Sequence, residues 1–172
     1  MTPEQLAGSG TEHAEQMAVF CWANIAMNYG FAAANAYSST HMLPITGDPV
    51  PFLRWLHAIP NAGARGNKVA AAQLKAEGVK AGVSDIFLPV KSGGFSGLYI
   101  EMKRANGRLS DVTPVQRDFM MFVESQGFVW TVAFGWKKAV YEIERYLLQM
   151  RVLPYNTVMD IDNFLNGNLP RS

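Results

Sequence analysis

Asp85 and the triplet Glu101-Met102-Lys103 are the residues of this chain best placed to do chemistry. Residues 97–103 read as a strand, and side chains two apart on a strand project from the same face, so Glu101 and Lys103 share one. Lys91, Ser92, Gly93 and Gly94 form a hairpin signal between that strand and another over residues 85–90. The two strands then run antiparallel, and Asp85 at the start of the first sits beside Glu101 near the end of the second. Two carboxylates at one edge of a sheet offer hard oxygens suited to Mg²⁺, with Mn²⁺ able to substitute. Such an ion polarises a phosphodiester and lowers the pKa of a bound water. Lys103 is placed to position that water or to stabilise charge developing on the phosphorane. The neighbours Ile86, Phe87 and Leu88, and Leu98, Tyr99 and Ile100, are apolar, so charges at the ends of these strands need a reason to be there. The plainer reading makes Glu101 and Lys103 an exposed ion pair of little energetic value. A D…ExK pattern by itself has frequent chance matches.

The elements that position these residues follow from turn chemistry and periodicity. Thr11 opens a helix as its cap, Ala14, Met17, Ala18, Cys21 and Ile25 form an apolar stripe along it, and Gly30 is expected to end it. Residues 31–51, with three prolines, read as loop with at most one extra turn. Residues 52–59 read as a strand stopped by Pro60, and residues 60–66 as a turn-rich loop. Residues 67–77 are helical in composition and closed by Gly78. Thr113-Pro114 opens a helix that Gly127 ends, residues 128–134 form a strand, and a helix runs from Trp136 to about Met150. The order helix, strand, helix, strand, strand, helix, strand, helix predicts an α/β domain with a central mixed β-sheet flanked by helices. The 172 residues suit a single domain, with a core over about 11–150 and a C-terminal tail over 151–172.

Composition narrows the class. Apolar residues make up 49% of the chain, which excludes a disordered protein. The single cysteine, Cys21, excludes an internal disulfide and suits a reducing cytoplasm. The longest apolar run, from Met17 to Met27, is broken by Asn24, falls short of the roughly 20 residues a bilayer needs, and has no basic residue upstream, so neither a membrane span nor a signal peptide is expected. His13, His41 and His57 show no paired zinc spacing. The net charge of +1 conceals a strong asymmetry: residues 1–53 carry −4, residues 54–117 carry +6 and residues 118–172 carry −1. A basic middle third suits a polyanionic partner, or is simply a solvated face.

Several blocks of text together resemble the virus-type replication-repair nuclease (VRR-NUC) family of the PD-(D/E)XK superfamily. They are Thr11-Glu-His-Ala-Glu-Gln16, Leu56-His-Ala-Ile-Pro-Asn61, and Leu74 through the Gly-Val-Ser-Asp85 segment to Pro89. Gly97-Leu-Tyr-Ile-Glu-Met-Lys103, Gly107-Arg-Leu-Ser110, Gln116 and Gly127-Phe128 complete them. The similarity spans most of residues 11–148 in order and spacing, and the set is far more specific than any one block. It implies a single restriction-endonuclease-like domain, with Asp85 and Glu101 as metal-binding carboxylates and Lys103 as catalytic lysine. A glutamate on the first helix completes the metal site. Glu12 and Glu15 compete for that place, and Glu12 is favoured because Glu12 and Gln16 keep the family's four-residue spacing on one helical face. Glu12 is also a first-turn acid that suits the helix dipole. Gln116 resembles the family's glutamine and equally fits the capping-box partner of Thr113; the helix start there also favours phosphate.

Two positions depart from the family pattern. Ser84 stands where a proline is usual, which is expected to loosen that turn. The segment from Ser110 to Gln116 is longer than the common form, which puts the place of Gln116 in question. Asn61, Arg65, Lys68, Lys75 and Lys80 are candidates to track DNA phosphates, each equally open to a plain surface role. The resemblance further implies a homodimeric endonuclease acting on four-way (Holliday) junctions, whose two-fold symmetry matches that of a dimer. A bacterial or phage protein in the cytoplasm of a bacterial host is the expected setting. Flap or restriction-like cleavage by the same residues is one alternative. A catalytically silent nucleic-acid-binding protein of the same fold is another.

Overall fold

The structure, a computed structural model, describes residues 1–40, 47–60 and 68–148. The expected loop over 61–66 and the tail over 151–172 lie outside the described residues.

The chain opens with a short helix that the sequence reading did not include, α1 (Pro3–Ala7). Thr2 caps it through a reciprocal capping box with Gln5, and Pro3 sits in its first turn. Helix α2 (Glu12–Thr40) starts as expected: Thr11 Oγ1 accepts from the Ala14 N–H at 3.2 Å. It does not end at Gly30. The backbone turns there (φ 85°, ψ 166°) and the helix resumes, so much of the expected loop over 31–51 is helical. Only glycine fits this kink, because a Cβ on Gly30 would stand 2.7 Å from the Asp48 carbonyl oxygen. Glycine here bends the helix instead of stopping it, since Phe31 stacks on Trp22 and Trp22 Nε1–H donates to Asn35 Oδ1 at 2.7 Å, holding the second half against the first. The segment Glu12–Ser38 is long and apolar enough, by length and composition, to cross a bilayer. Its Ala18, Val19, Trp22, Ala23 and Ala26 are buried against the sheet and the last helix, as befits a central core helix.

The expected strand over 52–59 is mostly something else. Pro51–Trp55 is a 3-10 helix, and only His57–Ala58 pairs as strand β1. Pro51 sets the first turn, and Leu53 and Leu56 bury one side of it, a spacing of three that suits a 3-10 turn rather than a strand. Helix α3 (Lys68–Ala76) follows, closed at Gly78, then β2 (Ile86–Leu88) and β3 (Leu98–Lys103), joined through a tight turn at Gly93 and Gly94. A short 3-10 turn (Leu109–Asp111) precedes α4 (Pro114–Ser125), β4 (Val129–Phe134) and α5 (Trp136–Leu147).

The sheet has the order β1-β2-β3-β4, with antiparallel pairs β1–β2 and β2–β3 and a parallel pair β3–β4. The parallel pair requires a crossover, and α4 supplies it. Alternation along the strands divides two cores. Ile86, Leu88, Leu98, Ile100 and Met102 face α2 and α5, where Trp22, Ala26, Trp136, Ala139 and Ile143 meet them. Trp130 and Val132 face α4 with Val112, Met120 and Val123. This is a mixed sheet flanked by helices in a single α/β fold, as the order of elements predicts. Because Ile100 and Met102 point to one face, Tyr99, Glu101 and Lys103 are carried on the other, toward α4.

Candidate active site

Burial sets the character of Glu101. It stands in the middle of the sheet, 2% exposed, with Lys103 beside it at 6%. Lys103 Nζ donates to Glu101 Oε1 at 2.9 Å. The pair is therefore buried, not the exposed ion pair that was the plainer sequence reading. Register brings Asp85 to it. Ile86 lies opposite Ile100, so Asp85 extends β2 to the level of Glu101 and Met102, where its Oδ2 accepts from the Met102 N–H at 2.8 Å. The Ile59 N–H donates to the Asp85 carbonyl at 2.8 Å, tying the edge strand to the same level.

Two further contacts hold the segment before Asp85. Ser84 is fully buried, and its Oγ accepts from Trp130 Nε1–H at 2.9 Å. The serine that replaces a proline thus does not leave the turn loose: it is bonded to the central strand β4. Gly82 (φ 85°) lies so close to Val115 at the start of α4 that a Cβ would fall 2.5 Å from a Val115 methyl. Only glycine permits both the positive φ and that approach.

The start of α4 reaches the carboxylate from the other side. Gln116 Oε1 accepts from the Thr113 N–H at 2.8 Å, and Thr113 Oγ1 accepts from the Gln116 N–H, completing the capping box. The other end of the same amide, Nε2–H, donates to Glu101 Oε1 in a short bond. Capping and site roles therefore coexist in one side chain, and the longer segment before Gln116 does not carry it away from the site.

The two helix glutamates separate cleanly. Glu15 is buried, and its Oε2 accepts from the Trp136 N–H at 2.8 Å. Gly135 precedes α5 without a capping side chain, so Glu15 supplies from afar the acceptor that this helix start lacks. Glu12 is exposed, and its charge is felt at Glu101. Burial, with the negative charges of Asp85 and Glu12, pushes the Glu101 carboxyl up from the ordinary value near 4.5 to about 8, against the opposing pull of Lys103.

Asp85 and Glu101 offer hard oxygens of the kind a divalent cation takes. Glu101 Oε2 is buried and has no hydrogen-bond partner among the described residues, so an ionised Glu101 beside Asp85 is costly unless a proton or a cation meets it. Among the described residues, no three His, Cys, Asp or Glu side chains stand close enough to ligate one ion together. Asp85 and Glu101 form the inner pair, and Glu12 reaches Glu101 only through its charge. Of the five phosphate candidates, Lys75 and Lys80 are exposed. Asn61, Arg65 and the side chain of Lys68 lie outside the described residues. The bond between Ser84 and Trp130 and the capping role of Glu15 escaped the sequence reading; neither has a local signal, because each joins segments 46 or 121 residues apart.

Fold and site together define an α/β nuclease domain with a carboxylate pair and a lysine on one sheet face. The VRR-NUC domain family model matches residues 49–135, just over half of the 172-residue chain, and the chain belongs to that family. It is thus a nuclease of the PD-(D/E)XK type, with DNA as its substrate. A solved structure described as a VRR_NUC domain protein is similar at 24% identity, with a TM-score of 0.56 over 81% of this chain and 89% of that one, a likeness of fold. No curated protein matches the chain. The matched span contains Asp85, Glu101, Lys103 and Gln116 but not Glu12.

Proposed function

We propose that the protein is a Mg²⁺-dependent, structure-specific DNA endonuclease that hydrolyses phosphodiester bonds and resolves Holliday junctions as a homodimer in the cytoplasm of a bacterial cell, whether as a host or a phage protein. The observation that carries the metal dependence is Glu101 Oε2, a buried carboxylate oxygen without a partner beside Asp85. Asp85 and Glu101 would hold the ion, and Glu12, which acts on Glu101 through its charge, would join them only by moving closer. When bound, Mg²⁺ polarises the scissile phosphate and makes a bound water acidic.

The protein's own groups do the rest. Asp85 is locked by the Met102 N–H and Ser84 by Trp130, so the carboxylate pair is held without waiting for substrate. Lys103, fixed by Glu101, presents a cation where negative charge grows on the phosphate oxygens and where an attacking water needs orientation. Gln116 donates to the same Glu101 Oε1 that Lys103 holds, and so ties the start of α4 to the site. The junction preference and the dimer are supported by the family resemblance and by the match of two-fold symmetries.

Cleavage of labelled four-way junction, flap and linear duplex tests the reading, with Mg²⁺, with Mn²⁺ and with chelator, for wild type and Lys103→Ala. Symmetric metal-dependent junction cuts, lost in the variant, are expected. Cleavage of flaps or linear DNA alone keeps the site and discards the junction; tight binding without cleavage under any metal indicates a silent binding protein.

A further inference from the structure

The 3-10 helix Pro51–Trp55 presents an aromatic face for which the hydrolytic site has no use. In a 3-10 turn, residues three apart eclipse one another. Leu53 and Leu56 bury one side, which leaves Phe52 and Trp55, also three apart, together on the other. They are 58% and 57% exposed, unusual for rings of this size. The Arg54 guanidinium lies over the Trp55 ring, 5.1 Å from its centroid. That arrangement sets a cation over an indole that is still more than half exposed. His57, next along, is also exposed.

We propose that Trp55, with Phe52 beside it and Arg54 over its ring, is a stacking platform for an unpaired base of the DNA substrate. Charge selects this occupant. Along the sequence, residues 49–76 hold four bases and no acid, and Arg54 stands on the platform itself. A polyanion is welcome beside Arg54, whereas a second copy of this chain would set its own Arg54 against it. Every base offers a π-face to an aromatic ring, and an arginine beside the ring meets the adjoining phosphate.

Position also fits. Trp55 is four residues from Ile59, whose N–H bonds to the Asp85 carbonyl. Four residues span on the order of 14 Å at most. That is about four nucleotide steps along a B-form strand. The platform therefore reaches bases within a few nucleotides of the scissile phosphate, where a flap or branch point exposes them. This inference rests on DNA as the substrate but not on junction cleavage.

The chain carries four tryptophans, and Trp22, Trp130 and Trp136 are buried, so Trp55 is the one that a solution quencher reaches. The full-length protein, without divalent metal so that no strand is cut, is titrated with a single-stranded oligothymidine, a flap duplex and a blunt duplex. Tryptophan emission and acrylamide quenching are followed. Single strand and flap are expected to quench Trp55 and shield it from acrylamide, and blunt duplex to do neither. Trp55→Ala is expected to weaken binding of single strand and flap about tenfold or more, with blunt-duplex affinity and the unfolding midpoint unchanged and Trp55→Phe restoring most of the loss. Equal quenching by blunt duplex, no shielding by any DNA, or a Phe variant as weak as the Ala variant each overturns the proposal. Shielding that grows with protein concentration without DNA also overturns it and assigns the face to a second copy. Junction cleavage without Trp55 quenching sinks this inference alone, whereas quenching without junction cleavage sinks the resolvase reading alone.

Discussion

Metal binding by this nuclease is expected to release a proton, and the structure sets how much. Glu101 is buried beside Asp85 with Glu12 nearby, and its carboxyl is raised to about 8. A cation needs the ionised form, so binding must expel the proton that Glu101 holds in the metal-free enzyme. At pH 7 such a group is about nine-tenths protonated, so close to one proton leaves per ion. The apparent Mg²⁺ or Mn²⁺ affinity should therefore climb about 25-fold from about pH 6.5 to about pH 8.5 and flatten above that. Calorimetric titration in buffers of different ionisation enthalpy counts the protons directly. Lys103→Met removes the one cation that opposes the shift, so its affinity rise should move to higher pH. A metal affinity that changes less than about threefold over the range, with no proton released, would falsify the assignment of Glu101 as a buried ligand. The same group sets a stability profile. Its folded pKa lies above its unfolded one, so its contribution is complete below about pH 4.5 and is lost as pH rises toward 8, by an upper bound of about 5 kcal/mol. Saturating metal should return much of that loss, most clearly at alkaline pH.

Other substitutions separate positioning from folding. Gln116→Glu keeps a capping-box partner for Thr113 but removes the N–H donor to Glu101; the melting temperature should stay within a few degrees while cleavage drops about tenfold or more. Glu15→Ala should cost about 1–3 kcal/mol in chemical unfolding by stripping the cap from α5. Glu12→Ala should leave stability within about 0.5 kcal/mol and weaken metal binding, and the opposite pattern would exchange the two assignments. Ser84→Pro restores the residue usual in the family yet strands the Trp130 indole N–H, so a loss of about 1–3 kcal/mol is expected by urea denaturation. An unchanged midpoint would show that bond to be idle.

What the sequence by itself determined is what short-range rules govern. Strand side chains alternate, so Glu101 and Lys103 had to share a face; a double glycine closes a hairpin, so Asp85 had to return beside them. Thr113-Pro114 had to start a helix, and Gln116 stood where its capping partner belongs. Each of these follows from atoms a few residues apart. What tertiary structure decided involves partners distant in the chain. Gly30 reads as a stop, but ring stacking and the Asn35 bond to Trp22 carry the helix on. Residues 52–55 read as strand until Leu53 and Leu56 are seen to bury one side of a 3-10 turn. Ser84 reads as a loosened turn until Trp130, 46 residues later, bonds it. Spacing alone favours Glu12 over Glu15, and a helix start 121 residues from Glu15 is what gives Glu15 its other role. Local dihedral preference and side-chain alternation are worth tenths of a kcal/mol to about 1 kcal/mol per residue. Burying an unpaired polar group costs about 1–3 kcal/mol. Where the two conflict, the long-range partner wins, and the place of such a partner exists only once the chain has folded.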